Sequence, residues 1–234
     1  MTASLRGLRI VVSAGPTYED IDPVRFLGNR SSGKMGFAIA ASAARREADV
    51  VLVAGPVALA TPDRVRRVDV RSAAQMRVAV LAALPADIYI AAAAVADFAP
   101  RHPSALKLKK SDTGDTLLLE LVRTPDILAE VAAHLPRPRL VVGFAAETHE
   151  LGRYAQGKLR DKKVDLIIAN QVGMPGSGFE SDDNMLTAFD HHGSHALGSG
   201  PKTELADALL DLVHERLGDG DATSATDPLA HRQR

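Results

Sequence analysis

The stretch from Gly28 to Gly36, GNRSSGKMG, matches the phosphate-loop pattern G-x-x-x-x-G-K-[ST] at every position except the last. Met35 stands where that loop has a Ser or Thr hydroxyl to coordinate the magnesium of a bound nucleotide. A thioether is a poor ligand for so hard an ion. A phosphate loop also follows its strand directly, whereas Gly28 lies thirteen residues beyond Gly15, at the end of the first apolar run. The stretch therefore does not predict an ATPase loop.

A different phosphate site is compatible with the same residues. Ser31, Ser32 and Gly33 come just before MGFAIAASAARR, a run with helical spacing. Helix N-termini bind anions, because their backbone N–H groups are unpaired and the helix dipole favours negative charge. The sequence thus predicts an anion-binding helix entrance at these three residues. The alternative is that Ser31 or Ser32 only caps the helix, which is the commoner use of serine at such a place, and both roles can hold together.

Two pairs of lysines could add positive charge to such a site. Lys158 and Lys162 are four residues apart on a helix predicted over 151–163, so they share a face and could grip two phosphate oxygens together. Taken alone, a solvated helix face is the more frequent explanation. Lys107 and Lys109 share one face of a predicted strand, where lysines commonly protect an exposed sheet edge from aggregation.

Other polar clusters predict no chemistry. His191, His192 and His195 lie in a predicted turn without a partner motif for a metal, and we expect them at the surface. Asp182 and Asp183 are predicted to be loop charges rather than a magnesium site. The chain has no cysteine, which excludes disulfides, thiolate zinc sites and a cysteine nucleophile.

Length and charge narrow the class of protein further. The 234 residues suit one large domain, and 28 basic against 29 acidic side chains give no field that would attract nucleic acid or a membrane. The sequence shows neither a secretory signal nor an apolar run of about eighteen residues that could span a bilayer. We therefore expect a cytoplasmic protein whose ligands are small molecules.

Short apolar runs alternate with helical patterns along most of the chain. RIVVSAG, ADVVLVAG, DIYIAAAA, LVVGFAAE and DLIIANQV are predicted strands, apolar on both faces as in a sheet covered by helices. This order predicts an α/β fold with a doubly wound, mainly parallel, Rossmann-like sheet. Ligands bind at the carboxyl ends of such strands, although loop residues there are often polar only because they are solvated. The candidates at that edge are Gly15-Pro16-Thr17, Asp97, Glu147 and Asn170.

Three segments depart from the alternation. Residues 107–122, KLKKSDTGDTLLLELV, are predicted to form a protruding β-hairpin around the turn Asp-Thr-Gly-Asp, and residues 184–195 a second hairpin. An isolated hairpin with three consecutive leucines needs an apolar cover, which predicts a second subunit. Residues 218–234 lack periodicity and are predicted to be a disordered tail.

Several motifs occur together in a fixed order: AGPTYEDIDPVRFLGNRSSGKMGFAIA, AAAVADF, KLKK, TPDIL, VVGFAAET, YAQGKLRDKKVDLIIAN and SGPKTELA. In this combination the chain resembles bacterial phosphopantothenoylcysteine synthetase over residues 5–217, which we take as the domain. The resemblance implies a ligase that joins 4′-phosphopantothenate to L-cysteine with CTP and Mg²⁺, through an acyl-cytidylate. Such domains usually accompany a flavin-dependent decarboxylase half and form homodimers with the active site at the interface. The resemblance leaves open whether the chain is an excised domain or a stand-alone enzyme.

The resemblance also assigns roles to individual residues. Asn29 matches the asparagine that stabilises the acyl-cytidylate, and Lys107 matches an essential lysine near the reacting phosphate. Ser31, Ser32 and Gly33 match an anion-holding helix entrance. The positions that match nucleotide contacts are Asp97, Lys107, Pro125, Asp126, Ile127, Leu128, Phe144, Lys158 and Lys162. Direct magnesium ligands are not implied, and the ion would be held mainly by the triphosphate and water.

Two other classes of protein fit parts of the sequence. An NAD(P)-dependent reductase could use the same fold, but the first turn lacks G-x-G-x-x-G and no acid follows ADVVLVAG to bind a ribose. A non-catalytic nucleotide-binding module would keep the serines without needing Asn29 and Lys107 together. A turnover assay separates that module from an enzyme.

Overall fold

The computed structural model describes residues 3–109, 115–147, 151–171 and 181–224. Its strands are β1 (Arg9–Ala14), β2 (Tyr18–Asp20), β3 (Phe26–Gly28), β4 (Asp49–Ala54), β5 (Val65–Asp69), β6 (Ile88–Ala91), β7 (Phe98–Pro100), β8 (Leu121–Arg123), β9 (Leu140–Glu147), β10 (Leu166–Gln171), β11 (Asp183–Asp190) and β12 (Gly193–Pro201). Its helices are α1 (Lys34–Arg45), α2 (Ala73–Ala82), α3 (Ile127–Ala132), α4 (Leu151–Lys162) and α5 (Lys202–Ser224).

Eight of the strands form one sheet in the order β12-β11-β10-β9-β6-β1-β4-β5. The strands from β10 to β5 are parallel to their neighbours, whereas β11 and β12 pair antiparallel at one edge. Parallel strands need crossover connections, and most of these contain the helices that the alternating sequence predicts, whereas β4 and β5 are joined by a loop without a helix. The predicted doubly wound, mainly parallel Rossmann-like sheet is confirmed.

Helices cover the sheet on both faces. One buried cluster joins α1 and α5 to the strands, and a second joins α2, α3 and α4 to the opposite face. Ile10 and Val11 are neighbours in β1 that contribute to the first and the second cluster respectively. This explains why the strands read as continuous apolar runs, since successive side chains point to opposite faces and both faces are buried.

The first predicted hairpin differs from the structure. Residues 107–109 and 115–120 form no strand, and residues 110–114 lie outside the described part of the chain. The antiparallel pair instead joins β7 to β8, with Phe98 opposite Arg123. The backbone of Leu108 bonds elsewhere: its N–H donates to Asp22 Oδ2 at 3.2 Å and its carbonyl accepts from Arg25 Nη2 at 2.9 Å. A strand at Lys107 and Lys109 was therefore a wrong prediction.

The second hairpin is confirmed and is longer than predicted. It is formed by β11 and β12, which pair from Asp183 opposite Pro201 to Asp190 opposite Gly193, and it extends the main sheet. Beyond it, α5 continues past Leu217 to Ser224, into the segment predicted to be a tail. Residues 225–234 lie outside the described part of the chain. Throughout the described ranges, each helix is too short or too polar to cross a bilayer.

A close contact between α1 and β1 offers a test of this packing. A Cβ on Gly36 would stand 2.4 Å from the Cβ of Ala14. We expect Gly36→Ala to lower the free energy of unfolding by about 1–3 kcal/mol, because the added atom overpacks the contact. The measurement is the thermal unfolding midpoint.

The matched control is Gly157→Ala on α4, where a new Cβ meets no atom within 4 Å. That change should raise stability by up to about 1 kcal/mol, because alanine favours the helix over glycine. A midpoint for Gly36→Ala at or above that of the wild type would contradict the observed approach of α1 to β1.

Candidate functional site

Two adjacent cavities open at the carboxyl edge of the parallel strands. The larger cleft has a volume of about 720 Å³ and extends from Asn29 and the loop after β6 to α3 and α4. The smaller cavity has a volume of about 140 Å³ and lies between the start of α1 and residues Asn170, Asn184 and Lys202. Ala93, Ala94 and Phe144 line both, so the two spaces share a wall.

Most of the site residues that the sequence suggests line the larger cleft. They come from the β3–α1 loop, the β6–β7 loop, the start of α3, the middle of β9 and one face of α4. The residues are Asn29, Asp97, Pro125, Asp126, Ile127, Leu128, Phe144, Lys158 and Lys162. Topology explains their convergence, because the carboxyl ends of β1, β6 and β9 are neighbours in the sheet.

The loop after β6 is held in place from both sides. The backbone N–H of Ala96 donates to Thr17 Oγ1 at 2.9 Å, and Thr124 Oγ1 donates to the carbonyl of Ala96 at 2.6 Å. The N–H of Thr124 also donates to the carbonyl of Asp97 at 3.0 Å. The loop that carries Asp97 is therefore a fixed wall of the larger cleft.

Asn29 connects the wall of the cleft to the entrance of α1. Its Nδ2 donates to the carbonyl of Ala94 at 2.5 Å, and its Oδ1 accepts from the N–H of Ser31 at 3.2 Å. The side chain is half-buried and its orientation is set by both contacts. A primary amide carries two N–H donors, so Nδ2 has a second hydrogen that can bond to a ligand.

The far end of the larger cleft combines an acid with two lysines. Lys162 Nζ donates to Asp126 Oδ2 at 2.6 Å, and Asp126 Oδ1 caps α3 by accepting from the N–H of Ala129 at 3.1 Å. Partial burial raises the pKa of Asp126, but the hydrogen bonds from Lys162 and Ala129 outweigh it and leave that pKa below its ordinary value. Asp126 is therefore ionised, and Lys162 and Lys158 line the cleft together as their spacing on α4 predicts.

Tyr89 and Ser13 form part of the floor of the larger cleft. Their hydroxyl oxygens lie 3.2 Å apart, and burial raises the pKa of Tyr89 to about 12. The phenol therefore stays protonated at neutral pH and can act only as a neutral hydrogen-bonding group. Both residues lie inside predicted strands, so the sequence gives no signal that they reach a site.

The predicted anion-binding entrance lies in the smaller cavity. Ser31, Ser32 and Gly33 all line it. The N-cap of α1 is Gly33, which has a φ of 76°, so no side chain caps the helix. The N–H of Gly33 instead donates to Ser31 Oγ at 3.4 Å. The alternative in which a serine caps α1 is thus wrong, because the residue at that position must adopt a left-handed conformation that glycine tolerates best.

Three further residues of the smaller cavity were not among the predicted site residues. Lys34, the first residue of α1, donates to Asp182 Oδ1 at 2.6 Å. Asn184 and Lys202 are both buried, at 5% and 6% exposure, and Lys202 Nζ donates to the carbonyl of Ser181. Lys34 is close to Ser31 in the sequence. Asn184 and Lys202 are distant from Ser31, and the antiparallel pair of β11 and β12 at the edge of the sheet brings them to the cavity.

Lys107 lies apart from the other predicted residues. It is exposed and lines neither cavity, although the Leu108 contacts with Asp22 and Arg25 fix the backbone beside it. The carboxylate of Asp22 accepts from Arg25 Nη2 at 2.5 Å, and hydrogen bonds from Arg25 lower the pKa of Asp22 well below its usual range. The structure of one chain therefore does not bring Lys107 to the larger cleft.

The remaining polar clusters named from the sequence show no metal site in the described part of the chain. Among the described residues, no group of three or more His, Asp or Glu side chains could hold a metal ion. His191 and His192 are exposed as predicted, whereas His195 is half-buried beside Asp190, with Nε2 and Oδ2 3.1 Å apart. The side chain of Glu147, a candidate at the strand ends, belongs to the part of the chain that is not described.

Comparison with known proteins places this geometry in a family. Residues 5–217 match the model of the DNA/pantothenate metabolism flavoprotein C-terminal domain. The chain is 49% identical over 214 residues to the coenzyme A biosynthesis bifunctional protein CoaBC of Vibrio cholerae, covering 91% of this chain and 54% of that protein. It thus spans about half the length of such curated relatives.

Solved structures show the same fold. The crystal structure of the C-terminal domain of coenzyme A biosynthesis bifunctional protein CoaBC matches with a TM-score of 0.77 at 39% identity, covering 92% of this chain and 98% of that one. A Cab2 mutant in complex with phosphopantothenate-cysteine matches with a TM-score of 0.77 at 16% identity, covering 94% of this chain and 90% of that one. With its sequence matched over nearly its whole length, the chain belongs to the DNA/pantothenate metabolism flavoprotein C-terminal domain family.

Proposed function

We propose that the protein is a CTP-dependent ligase that joins 4′-phosphopantothenate to L-cysteine in the biosynthesis of coenzyme A. The observation that carries the proposal is the larger cleft, where Asn29, Asp97, Phe144, the start of α3 and the lysines of α4 meet in one space. The names of the relatives, with phosphopantothenate-cysteine bound to one of them, support the same reaction. They give no support to the NAD(P)-dependent reductase alternative.

The proposed reaction has two steps. A carboxylate oxygen of phosphopantothenate attacks the α-phosphorus of CTP, and pyrophosphate leaves to give an acyl-cytidylate. The amine of cysteine then attacks the acyl carbon, loses a proton and displaces CMP. In the first step, Lys158 and Lys162 bind phosphate oxygens, and Asn29 donates to the mixed anhydride near the carbonyl of Ala94.

The residues present fit a nucleotide-bound magnesium ion better than a protein-bound one. The acidic residues that line the larger cleft are Asp97 and Asp126. The carboxylate of Asp126 is paired with Lys162. No cluster of three ligands occurs within the described ranges. Mg²⁺ carried by the triphosphate and water, with Asp97 as a protein contact, would supply charge neutralisation at the phosphates.

The test of the proposed function uses the purified protein with phosphopantothenate, CTP and Mg²⁺, with and without L-cysteine. We expect pyrophosphate in both reactions, an acyl-cytidylate by mass spectrometry when cysteine is omitted, and 4′-phosphopantothenoylcysteine with CMP when it is present. A non-catalytic nucleotide-binding module would bind CTP and release no pyrophosphate.

The choice of nucleotide is a separate prediction. We expect kcat/KM for CTP to exceed that for ATP by about a hundredfold or more, because a site that hydrogen-bonds one base leaves polar groups unpaired with another. The backbone near Ile127 and Phe144 is the proposed source of these bonds, as both residues line the larger cleft. Equal kcat/KM values for the two nucleotides would contradict the prediction.

We also propose that the enzyme is a homodimer. Apolar side chains are exposed on the β2–β3 and β7–β8 pairs and on the segment between β7 and β8, with Leu106 79% and Leu118 96% exposed. Val24, Phe26 and Phe98 extend this apolar surface. A second copy of the chain would cover it. Lys107 lies within the segment that joins these strands, so dimerisation would allow it to reach the partner's cleft.

The proposed biological setting follows from the substrates. CTP and phosphopantothenate are intracellular metabolites, so we place the enzyme in the cytoplasm. Since the relatives are bifunctional proteins of coenzyme A biosynthesis, we propose a flavin-dependent decarboxylase, fused or separate, as the functional partner that consumes the product.

A further inference from the structure

Arg67 in β5 is mostly buried and binds the loop that joins β4 to β5. Its side chain is 16% exposed. Its Nη1 donates to the carbonyl of Leu59 at 2.6 Å, and its Nη2 donates to the carbonyl of Val57 at 3.4 Å. Its Nε donates to Asp69 Oδ1 at 2.7 Å, which orients the guanidinium plane. Because this planar group binds two carbonyls of one loop, it fixes the position of the β4–β5 loop, residues 55–64.

The same guanidinium contacts helix α1. It lies over the ring of Phe37, with Cζ 5.2 Å from the ring centroid. Phe37 is 6% exposed, and its N–H donates to the carbonyl of Gly33, the N-cap of α1. A cation over an aromatic face is attracted by the ring, more strongly where water is excluded. Arg67 therefore connects the β4–β5 loop to the first turn of α1.

The β4–β5 loop packs closely against two segments near the larger cleft. A Cβ on Gly15, just after β1, or on Gly33 would stand 3.1 Å from Val57 Cγ1. A Cβ on Gly55 would stand 1.7 Å from the carbonyl oxygen of Pro16. The absence of side chains at these glycines allows the loop to contact the backbone of the turn after β1 and of the N-cap of α1. The three segments form one close-packed unit.

Asn29 is attached to this close-packed unit at two points. Its Nδ2 donates to the carbonyl of Ala94. The N–H of Ala94 donates to the carbonyl of Gly15 at 2.9 Å, and its carbonyl accepts from the N–H of Thr17 at 3.2 Å. Four residues after Asn29, the chain reaches Gly33, against which the β4–β5 loop also packs. A displacement of the loop would therefore move the Asn29 amide relative to the larger cleft.

We infer that Arg67 is a positioning residue for Asn29 and acts through Val57 and the β4–β5 loop. The inference rests on the ligase activity proposed above, in which the Asn29 amide donates to the acyl-cytidylate. Arg67 itself lines neither cavity. The lysines proposed to bind the phosphates belong to α4, on the opposite face of the sheet from α1. Loss of Arg67 should therefore slow the chemical step and leave the affinity for CTP nearly unchanged.

The test compares Arg67→Met and Val57→Ala with the wild type and with Arg66→Met, an exposed neighbour on the other face of β5. The measurements are the single-turnover rate of acyl-cytidylate formation without cysteine and the Kd for CTP, both below the unfolding midpoint of each variant. For Arg67→Met we expect the rate to fall by about tenfold or more with Kd within about twofold, since a small displacement of a catalytic group is costly. Val57→Ala should show a smaller loss of rate, and Arg66→Met should match the wild type.

A double-mutant cycle separates positioning from a general loss of stability. Arg67→Met is combined with Asn29→Ala, which removes the amide that Arg67 positions. If Arg67 acts through Asn29, adding Arg67→Met to Asn29→Ala should lower the rate by less than about twofold, because the effects of residues in one network are not additive. If Arg67→Met does not fold, Val57→Ala, which keeps the guanidinium, takes its place in the cycle. An equal loss of rate in both backgrounds, an unchanged rate in the single variant, or a parallel loss of CTP affinity would overturn the inference.

Failure of the proposed ligase function is distinguishable from failure of this inference. If the wild type forms no acyl-cytidylate, the ligase proposal is wrong, and the environment of Asn29 is measured by NMR instead. The side-chain amide signals of Asn29 are assigned by their absence from the spectrum of Asn29→Ala. Signals that shift or broaden in Arg67→Met but not in Arg66→Met would support the positioning role. Signals that are unchanged in Arg67→Met, or that change equally in Arg66→Met, would overturn it.

Discussion

The Asn29→Asp variant is expected to bind CTP and to accumulate no acyl-cytidylate. In the wild type, Asn29 Nδ2 donates to the carbonyl of Ala94 at 2.5 Å and its Oδ1 accepts from Ser31 N–H. Aspartate keeps the acceptor for Ser31 but removes the donor and adds a negative charge beside the reacting anhydride. Loss of one such donor costs about 10²–10³ in kcat, and the added charge should cost more.

The measurement is single-turnover formation of the acyl-cytidylate by mass spectrometry, with CTP affinity measured by titration. Asn29→Ala separates the two effects, because it removes the donor without adding charge, and it should retain more activity than Asn29→Asp. The new carboxylate also faces the Ala94 carbonyl, which should cost about 1–3 kcal/mol of stability. Normal amounts of the intermediate in Asn29→Asp, measured below its unfolding midpoint, would show that the assigned role is wrong.

Much of the fold is predictable from local pattern. The runs that become β1, β4, β6, β9 and β10 are apolar on both faces, and the structure buries both faces between two layers of helices. The carboxyl-edge rule predicts Asp97 and Asn170 at the edge where the structure places the larger cleft and the smaller cavity. Asn29 and Phe144 were predicted only from the resemblance to the family.

What the sequence did not predict depends on contacts between distant segments. The alternation in KLKK is compatible with a strand, but the backbone of Leu108 bonds to another loop. Its N–H donates to Asp22 and its carbonyl accepts from Arg25. Ala93 and Ala94 line both cavities. Nothing in the chemistry of these small side chains indicates from the sequence that they lie at a site. Lys202 belongs to the smaller cavity only because the antiparallel β11–β12 hairpin returns the chain to that edge.

Lys107→Gln is expected to abolish ligase activity without dissociating the proposed homodimer. Lys107 lines neither cavity of its own chain, and it lies in the segment between β7 and β8 that carries the exposed leucines. If that segment crosses to a second copy, Lys107 stabilises the reacting phosphate in the partner's cleft. Losing this charge should reduce kcat by about 10²–10³ while the apolar contacts between subunits remain. Lys109→Gln, in the same segment and also exposed, should retain activity.

Mixing the Lys107→Gln and Asn29→Asp proteins decides which subunit Lys107 serves. Each homodimer is inactive on its own. If Lys107 acts across the interface, a mixed dimer has one cleft with Asn29 and Lys107 both intact and one cleft with neither, so each mixed dimer should recover about half of the wild-type activity. If Lys107 acts within its own subunit, every cleft in the mixed dimer lacks one of the two groups and no activity returns. Subunit exchange is verified by native mass spectrometry. If subunits exchange but ligase activity does not return, Lys107 acts within its own subunit and the apolar β7–β8 surface serves only to hold the two subunits together.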